Sequence, residues 1–369
     1  MPCREASLVM SPATLIDKWV RPEIRALAGY RVPDAADLIK LDAMENPYPW
    51  PDDLKEIWLE RLRDVPINRY PAPFPGALAQ RLRETMGIPE EMAILFGNGS
   101  DELIQLVVLL LAGPGRCVLA PEPTFVMYRL IALALGLEFI GIPLRDDFAL
   151  DRAAMLAAVE KHQPAVIFLS YPNNPTGGLF DSDDMSALLA AAPGLVVIDE
   201  AYTSFAQASK MDWLPDHSNL IILRTLSKLG FAGLRLGFAV GAPAWIREMD
   251  KLRLPYNINA LTQVSASLAM ENIPLFEEQV AHIRRDRQDL FRRLAAMEGI
   301  MAWPSRANFI LFRVEAQRAD AIHAGLRDRG ILIKNLHGSH PRLRDCLRVT
   351  VGKPQENRAF LDALQTLLP

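Results

Sequence analysis

Cysteine is scarce in this chain. Its three residues, Cys3, Cys117 and Cys346, are widely separated along 369 positions. An odd, scattered set builds neither a disulfide framework nor a metal site. It reads as reduced thiols, with Cys117 a core residue of the run RCVLAP. Long apolar runs are also missing. LVVLLLAG (106–113) and LIALALGL (130–137) fall well short of the roughly 20 residues that a bilayer requires. The start, MPCREASLVMSPATLIDKW, lacks the charged opening, apolar block and small-residue cleavage site of a secretory signal. A cytoplasmic protein is expected. No block of like charge occurs, and 40 basic against 44 acidic residues leave a formal net charge of −4. That balance gives no footprint for nucleic acid. There is no internal repeat and no low-complexity segment.

Half of the residues are hydrophobic, and the length exceeds one ordinary domain, so two units with a large core are expected. Short apolar, β-branched runs alternate with helix-like segments up to about residue 255. CVLA (117–120), AVIFLS (165–170), LVVID (195–199), LIILR (220–224) and LGFAV (236–240) read as buried strands. Their near-continuous apolar character fits a mostly parallel sheet covered on both faces. DSDDMSALLAAA (181–192) reads as an intervening helix with N-cap residues at its start. The alternation predicts an α/β fold. Beyond residue 255 the texture changes. A long amphipathic helix (274–298) precedes a strand (308–314), a helix (319–330), a strand (346–352) and a closing helix (354–368), which together predict a smaller α+β unit. Proline-rich YRVPDAADL and ENPYPWPDDL read as an extended arm. The expected division is an N-terminal arm (1–45) packing with the small unit, a large unit (46–255) and a small unit (256–369).

Four segments carry chemistry. TLSK (225–228) follows the strand LIILR, so Lys228 lies just past a carboxyl strand end, where open α/β sheets bind ligands. A lysine there can be desolvated into a nucleophile or Schiff-base former, although a loop lysine is ordinarily a solvated surface residue. LVVIDEAY (195–202) ends a buried strand on Asp199. That carboxylate needs a partner, and a protonated pyridine nitrogen would serve; an N-cap or a buried salt bridge accounts for it equally. FGNGSDELIQLVVLLL (96–111) is a glycine-rich turn entering an apolar helix, whose first amides around Ser100 and Asp101 suit a phosphate. Glu102 stands where a dinucleotide fingerprint needs its third glycine, and no P-loop occurs; a capped core helix is the plain alternative. YPNNPTGG (171–178) follows AVIFLS with an Asn-Pro turn that aims Asn174 at the same sheet edge, or is only a turn.

With these residues, the chain resembles the fold-type I pyridoxal-phosphate (PLP) aminotransferases, and within them the histidinol-phosphate aminotransferase subfamily. LDAMENP (41–47), NRYP (68–71), GNGSDELI (97–104), APEPTFVMY (120–128), PNNPTG (172–177), DEAY (199–202), RTLSK (224–228), AGLRLG (232–237) and CLRVTVG (346–352) carry the resemblance from about Tyr30 to the end. It implies a large PLP-binding domain and a small domain, PLP as cofactor, and no metal. Lys228 would bind the cofactor and shuttle the α-proton. Asp199 would pair with the ring nitrogen, and Asn174 and Tyr202 would hold its 3-oxygen. Ser100, Asp101, Thr225, Ser227 and Arg235 would hold its phosphate, and Phe125 would stack on the ring. Tyr70 would reach the cofactor phosphate of the other subunit, which implies a homodimer with shared sites. Tyr30, Asn46, Lys334 and Arg348 would contact substrate; Lys334 replaces the arginine of some relatives.

The activity so implied is transamination between L-histidinol phosphate and 2-oxoglutarate in histidine biosynthesis, with a small-molecule amino donor and keto acceptor and neither membrane nor nucleic acid as partner. An aromatic amino-acid aminotransferase and a threonine-phosphate decarboxylase share the motifs. A PLP-binding regulator fused to a DNA-binding domain is a rival of another class, but no helix-turn-helix segment precedes the arm.

Overall fold

The computed structural model describes residues 11–29 and 33–368. In chain order its strands are β1 (Ile39–Leu41), β2 (Ala93–Gly97), β3 (Cys117–Glu122), β4 (Glu138–Pro143), β5 (Val166–Ser170), β6 (Leu195–Asp199), β7 (Leu220–Thr225), β8 (Gly237–Gly241), β9 (Met301–Ala302), β10 (Phe309–Arg313), β11 (Ile331–Asn335) and β12 (Cys346–Thr350). Seven form one sheet in the order β2-β8-β7-β6-β5-β3-β4. Only β8 runs against its neighbours β7 and β2, so six strands present their carboxyl ends on one side. β5, β6 and β7 are buried at every position, as strands covered on both faces must be. The α/β expectation and the five predicted strands are borne out.

Two strands of this sheet escaped the sequence reading, as did β1, β9 and β11 outside it. β4 is the sheet edge and contains Gly141 and Pro143, so it lacks the continuous apolar signature. β2 is five residues long and runs straight into the glycine turn that drew attention instead. The helix expected at 181–192 spans Ser182–Ala191, with Asp181 Oδ1 accepting from the Asp183 and Asp184 amides. Such a cap stabilises a helix by about 1 kcal/mol.

The second sheet has the order β1-β11-β12-β10-β9. β1, from the region read as an arm, pairs in parallel with β11. Its N-terminal neighbours are helical at Pro12–Trp19 and Pro22–Arg25, and the helix Asp52–Arg63 begins within the run ENPYPWPDDL, so the arm is less extended than its prolines suggested. Proline in a first helical turn loses no hydrogen bond. The helix Ala260–Glu271 packs on Asp52–Arg63 and Gly76–Met86 of the first unit, and the long helix Ile273–Ala295 lies against β9 and β10 of the second. Among the described residues no helix is long and apolar enough to cross a membrane.

Candidate active site

The site lies at the common carboxyl ends of the large sheet, because each buried strand stops where its apolar run gives way to polar residues. β6 delivers Asp199. β7 delivers Thr225 and then a 3-10 turn, Ser227–Leu229, that carries Lys228. β5 leads to Asn174, β3 to Phe125, and β2 to the helix Ser100–Leu111. One cleft is lined by Lys228, Asp199, Tyr202, Asn174 and Phe125, and by Ser100, Asp101, Thr225, Ser227 and Arg235. The structure thus brings together ten of the residues singled out from sequence. Met44 and Ser170 join them.

Lys228 Nζ donates to Ala43 O at 3.2 Å and sits 5.8 Å from the centre of the Tyr202 ring. Burial, reinforced by the Arg348 charge, lowers its pKa to about 8. At pH 7 roughly a tenth of the amine is then neutral, far more than for an ordinary lysine, and that fraction can act as a nucleophile. Asp199 is 3% exposed. Its Oδ2 accepts from Tyr128 Oη at 2.8 Å and its Oδ1 from the Ala201 amide at 3.1 Å. Burial still raises the carboxyl to about 6, against the lowering effect of those two donors. Such a group gains from a cationic partner.

Tyr128 was not singled out from sequence. It lies three residues past Phe125, is fully buried, stacks on Phe168 at 4.6 Å and meets Phe125 edge-on at 5.6 Å. In the sequence it looks like any core aromatic. Burial and the nearby Asp199 push its phenol well up, so it remains a hydrogen-bond donor.

Tyr202 Oη accepts from Asn174 Nδ2 at 3.1 Å and donates to Met44 Sδ at 3.2 Å. Burial raises its pKa. Arg348, on β12, donates to Asn174 Oδ1 and to Asp42 O and lies over Phe309. This ties the small sheet to the floor of the cleft. Lys334, on β11, is the register partner of Arg348; burial and that arginine lower its pKa.

At the opposite end, Gly99 takes φ +80 and caps the helix Ser100–Leu111. The amides of the first helical turn have no intrahelical acceptor. A Cβ on Gly99 would lie 2.7 Å from Arg235 Nη2, and one on Gly237 would lie 2.7 Å from the Gly99 carbonyl carbon and 2.8 Å from Ser100 N. Both glycines are therefore needed for β8 and Arg235 to close on the turn. Glu102, which spoils a dinucleotide fingerprint, accepts from the Asn98 amide at 2.6 Å and from Asn257 Nδ2 at 3.0 Å, fixing the turn. Thr225 and Ser227 hydroxyls meet at 2.9 Å, and Arg235 reaches Asp101 at 3.7 Å.

Two expected residues lie elsewhere. Asn46 donates to Leu229 O at 3.0 Å and to Gln279 Oε1 at 2.9 Å and accepts from the Tyr48 amide at 2.9 Å, so its amide is spent behind the Lys228 turn and not in the cleft. Tyr70 is 81% exposed and stacks on Tyr256 at 4.5 Å, outside this chain's own cleft. Tyr30 falls outside the described residues. Among the described residues, no group of three His, Cys, Asp or Glu side chains is arranged to hold a metal ion.

The donor set fits PLP. A carboxylate that gains from a cation would suit a protonated ring nitrogen, a buried amine would suit an aldehyde, and Asn174 with Tyr202 would suit a phenolate. A glycine-cradled helix start with two hydroxyls and an arginine suits a phosphate.

Comparison with known proteins agrees. A family model described as aminotransferase class I and II matches residues 36–364. The chain is 56% identical to "Histidinol-phosphate aminotransferase 2" of Nitrosococcus oceani over 95% of this chain and 97% of that one. It is 51% identical to the histidinol-phosphate aminotransferase of Chromobacterium violaceum, with 95% and 98% covered. Among solved structures it is similar to the histidinol-phosphate aminotransferase of Sinorhizobium meliloti in complex with pyridoxal-5'-phosphate, with TM-score 0.84, 26% identity, and 94% and 96% of the two chains covered. From its sequence, its fold and the residues gathered at the sheet's carboxyl edge, this chain belongs to the aminotransferase class I and II family.

Proposed function

We propose that this enzyme uses PLP to move the amino group of L-histidinol phosphate to 2-oxoglutarate, giving imidazole acetol phosphate and L-glutamate, in cytoplasmic histidine biosynthesis. The observation that carries the reading is the pairing of Lys334 with Arg348 across β11 and β12, beside the cleft that holds Lys228. Two cations there suit a phosphate ester on one substrate and a carboxylate on the other. The relatives at 51–56% identity bear the corresponding name, which supports the same choice.

PLP supplies a ring that takes up the negative charge left on the substrate α-carbon. The chain's residues do the rest. Lys228 would hold the cofactor at rest, and its freed amine would take the α-proton of the donor. Asp199 keeps the ring nitrogen protonated by offering a buried negative charge. Asn174 and Tyr202 hold the 3-oxygen, and Phe125 covers one ring face. The Ser100 and Asp101 amides with Thr225, Ser227 and Arg235 grip the phosphate. The second half runs the same steps in reverse with the keto acid, which gives ping-pong kinetics. We further propose a homodimer in which Tyr70 serves the neighbouring site.

The test is turnover by purified protein of histidinol phosphate against phenylalanine and tyrosine, with 2-oxoglutarate as acceptor. Histidinol phosphate should have the highest kcat/KM, by at least tenfold. A preference for phenylalanine or tyrosine would overturn the substrate assignment in favour of an aromatic aminotransferase.

A further inference from the structure

A cavity of about 360 Å³ continues from the cleft, sharing Met44, Phe125 and Asn174 with it. That size is in the ordinary range for small-molecule sites, about 300–1,000 Å³. It is lined by Lys334 and Arg348, by Glu122, Arg129 and His340, and by apolar Phe139, Leu336 and Leu343. Glu122, Arg129 and His340 have no part in the chemistry above.

Glu122 is the last residue of β3, and Arg129 lies on the following helix, Met127–Ala134. Arg129 Nε and Nη2 form a fork on the two Glu122 oxygens at 3.2 and 2.8 Å. The pair is built in. A Cβ on Gly141 of the neighbouring strand would lie 2.0 Å from Glu122 Oε2, so that glycine makes room for the carboxylate. The guanidinium lies 4.4 Å over the Phe139 ring. The partners differ in freedom: the Glu122 side chain is 19% exposed and that of Arg129 43%. The carboxylate is therefore a fixed wall group, whereas the guanidinium can swing on its stem. The Arg129 end of the pair faces solvent, which can take up the guanidinium when it leaves Glu122. His340 Nδ1 accepts from the Arg342 amide at 3.2 Å, which leaves the proton on Nε2.

On the activity proposed above, one cavity must receive two unlike tails in turn: an imidazole with a ring N–H, then a distal carboxylate. A wall of one charge suits only one of them. We infer that the Glu122–Arg129 fork is a two-way specificity element: Glu122 accepts from the ring N–H of the nitrogen-heterocycle donor, and Arg129 opens from Glu122 to bind the distal carboxylate of the dicarboxylic partner. Each tail thereby meets a group of matching polarity, and the fork recloses when the cavity empties.

The experiment measures the two half-reactions of the holoenzyme separately by stopped-flow absorbance. It adds the inhibition constant of glutarate, a dicarboxylate without an amine. Glu122→Gln should raise the apparent KM for histidinol phosphate at least tenfold and change that for glutamate less than threefold. Arg129→Met should do the reverse and weaken glutarate at least tenfold. Circular dichroism and the visible cofactor band should stay unchanged in both, since neither residue touches the cofactor cleft. Equal effects of each variant on both half-reactions, or no effect of either, would overturn the inference. If wild-type protein does not turn over histidinol phosphate, the substrate reading fails on that result alone. The Arg129→Met arm with glutamate and glutarate then decides the carboxylate half of the inference independently: tenfold weakening upholds it, and unchanged binding overturns it.

Discussion

At the scale of single residues, the site is a set of groups held away from their ordinary protonation. Asp199 is raised to about 6 and Lys228 lowered to about 8, both first by burial. The two shifts work toward one chemistry, because a carboxylate that gains from a cation and an amine that gives up its proton more readily than an ordinary lysine are what a PLP site needs. The sign of the Asp199 shift has a consequence. In the cofactor-free cleft its carboxyl is protonated below about pH 6, so PLP affinity should fall as pH drops through that value. The Tyr128 hydroxyl favours the ionised form and holds this limb down. Removing it with Tyr128→Phe keeps the ring stacked on Phe168 but loses one charge-assisted hydrogen bond, worth about 1.5–3 kcal/mol. At about 1.4 kcal/mol per pH unit, the acid limb of PLP affinity should move up by roughly one to two units. Equilibrium titration with PLP across pH 5–8 measures this. A limb that stays put would show Tyr128 to be packing only.

At the scale of elements, legibility followed burial. β5, β6 and β7 are apolar up to Leu169, Ile198 and Leu223 and then turn polar at Ser170, Asp199 and Arg224, so the sequence alone marks both the strands and the edge where chemistry gathers. Lys228 and Asn174 follow from the same pattern. Edge strand β4 lacks it, because half-exposed residues, glycine and proline interrupt the run. The Glu122–Arg129 fork was invisible because its partners sit on a strand end and a helix and meet only in the fold. Tyr128 was invisible for the opposite reason: its hydroxyl does the work, while its ring reads as core. Asn46 is the converse case. Its motif matched, yet its amide is spent on the Lys228 turn and helix Ile273–Ala295, where it fixes the back of the site. The resemblance supplied the cofactor, which strand patterning cannot name.

At the scale of the whole molecule, the cleft described above is lined by residues of this one chain, and the proposed dimer would add Tyr70 of a neighbour at its phosphate end. Tyr70 is exposed beside Ile67, at 79%, and near the chain stretch of Leu254, at 73%, and Tyr256, on which it stacks. Large exposed apolar residues gathered in this way mark an interaction surface. The shared-site dimer predicts complementation between Tyr70→Ala and Lys228→Ala. In each heterodimer one of the two sites receives both intact residues, so co-refolded mixtures should recover activity at half the sites of every heterodimer. A fully active monomer, or heterodimers without recovery, would remove Tyr70 from the site. The central claim is the attachment of PLP to Lys228, and its most direct measurement is borohydride reduction of the PLP-loaded enzyme followed by peptide mass mapping. The account predicts loss of the visible absorbance band and a single pyridoxyl group on the peptide containing RTLSK, at Lys228. A label on any other lysine, or none at all, would contradict it.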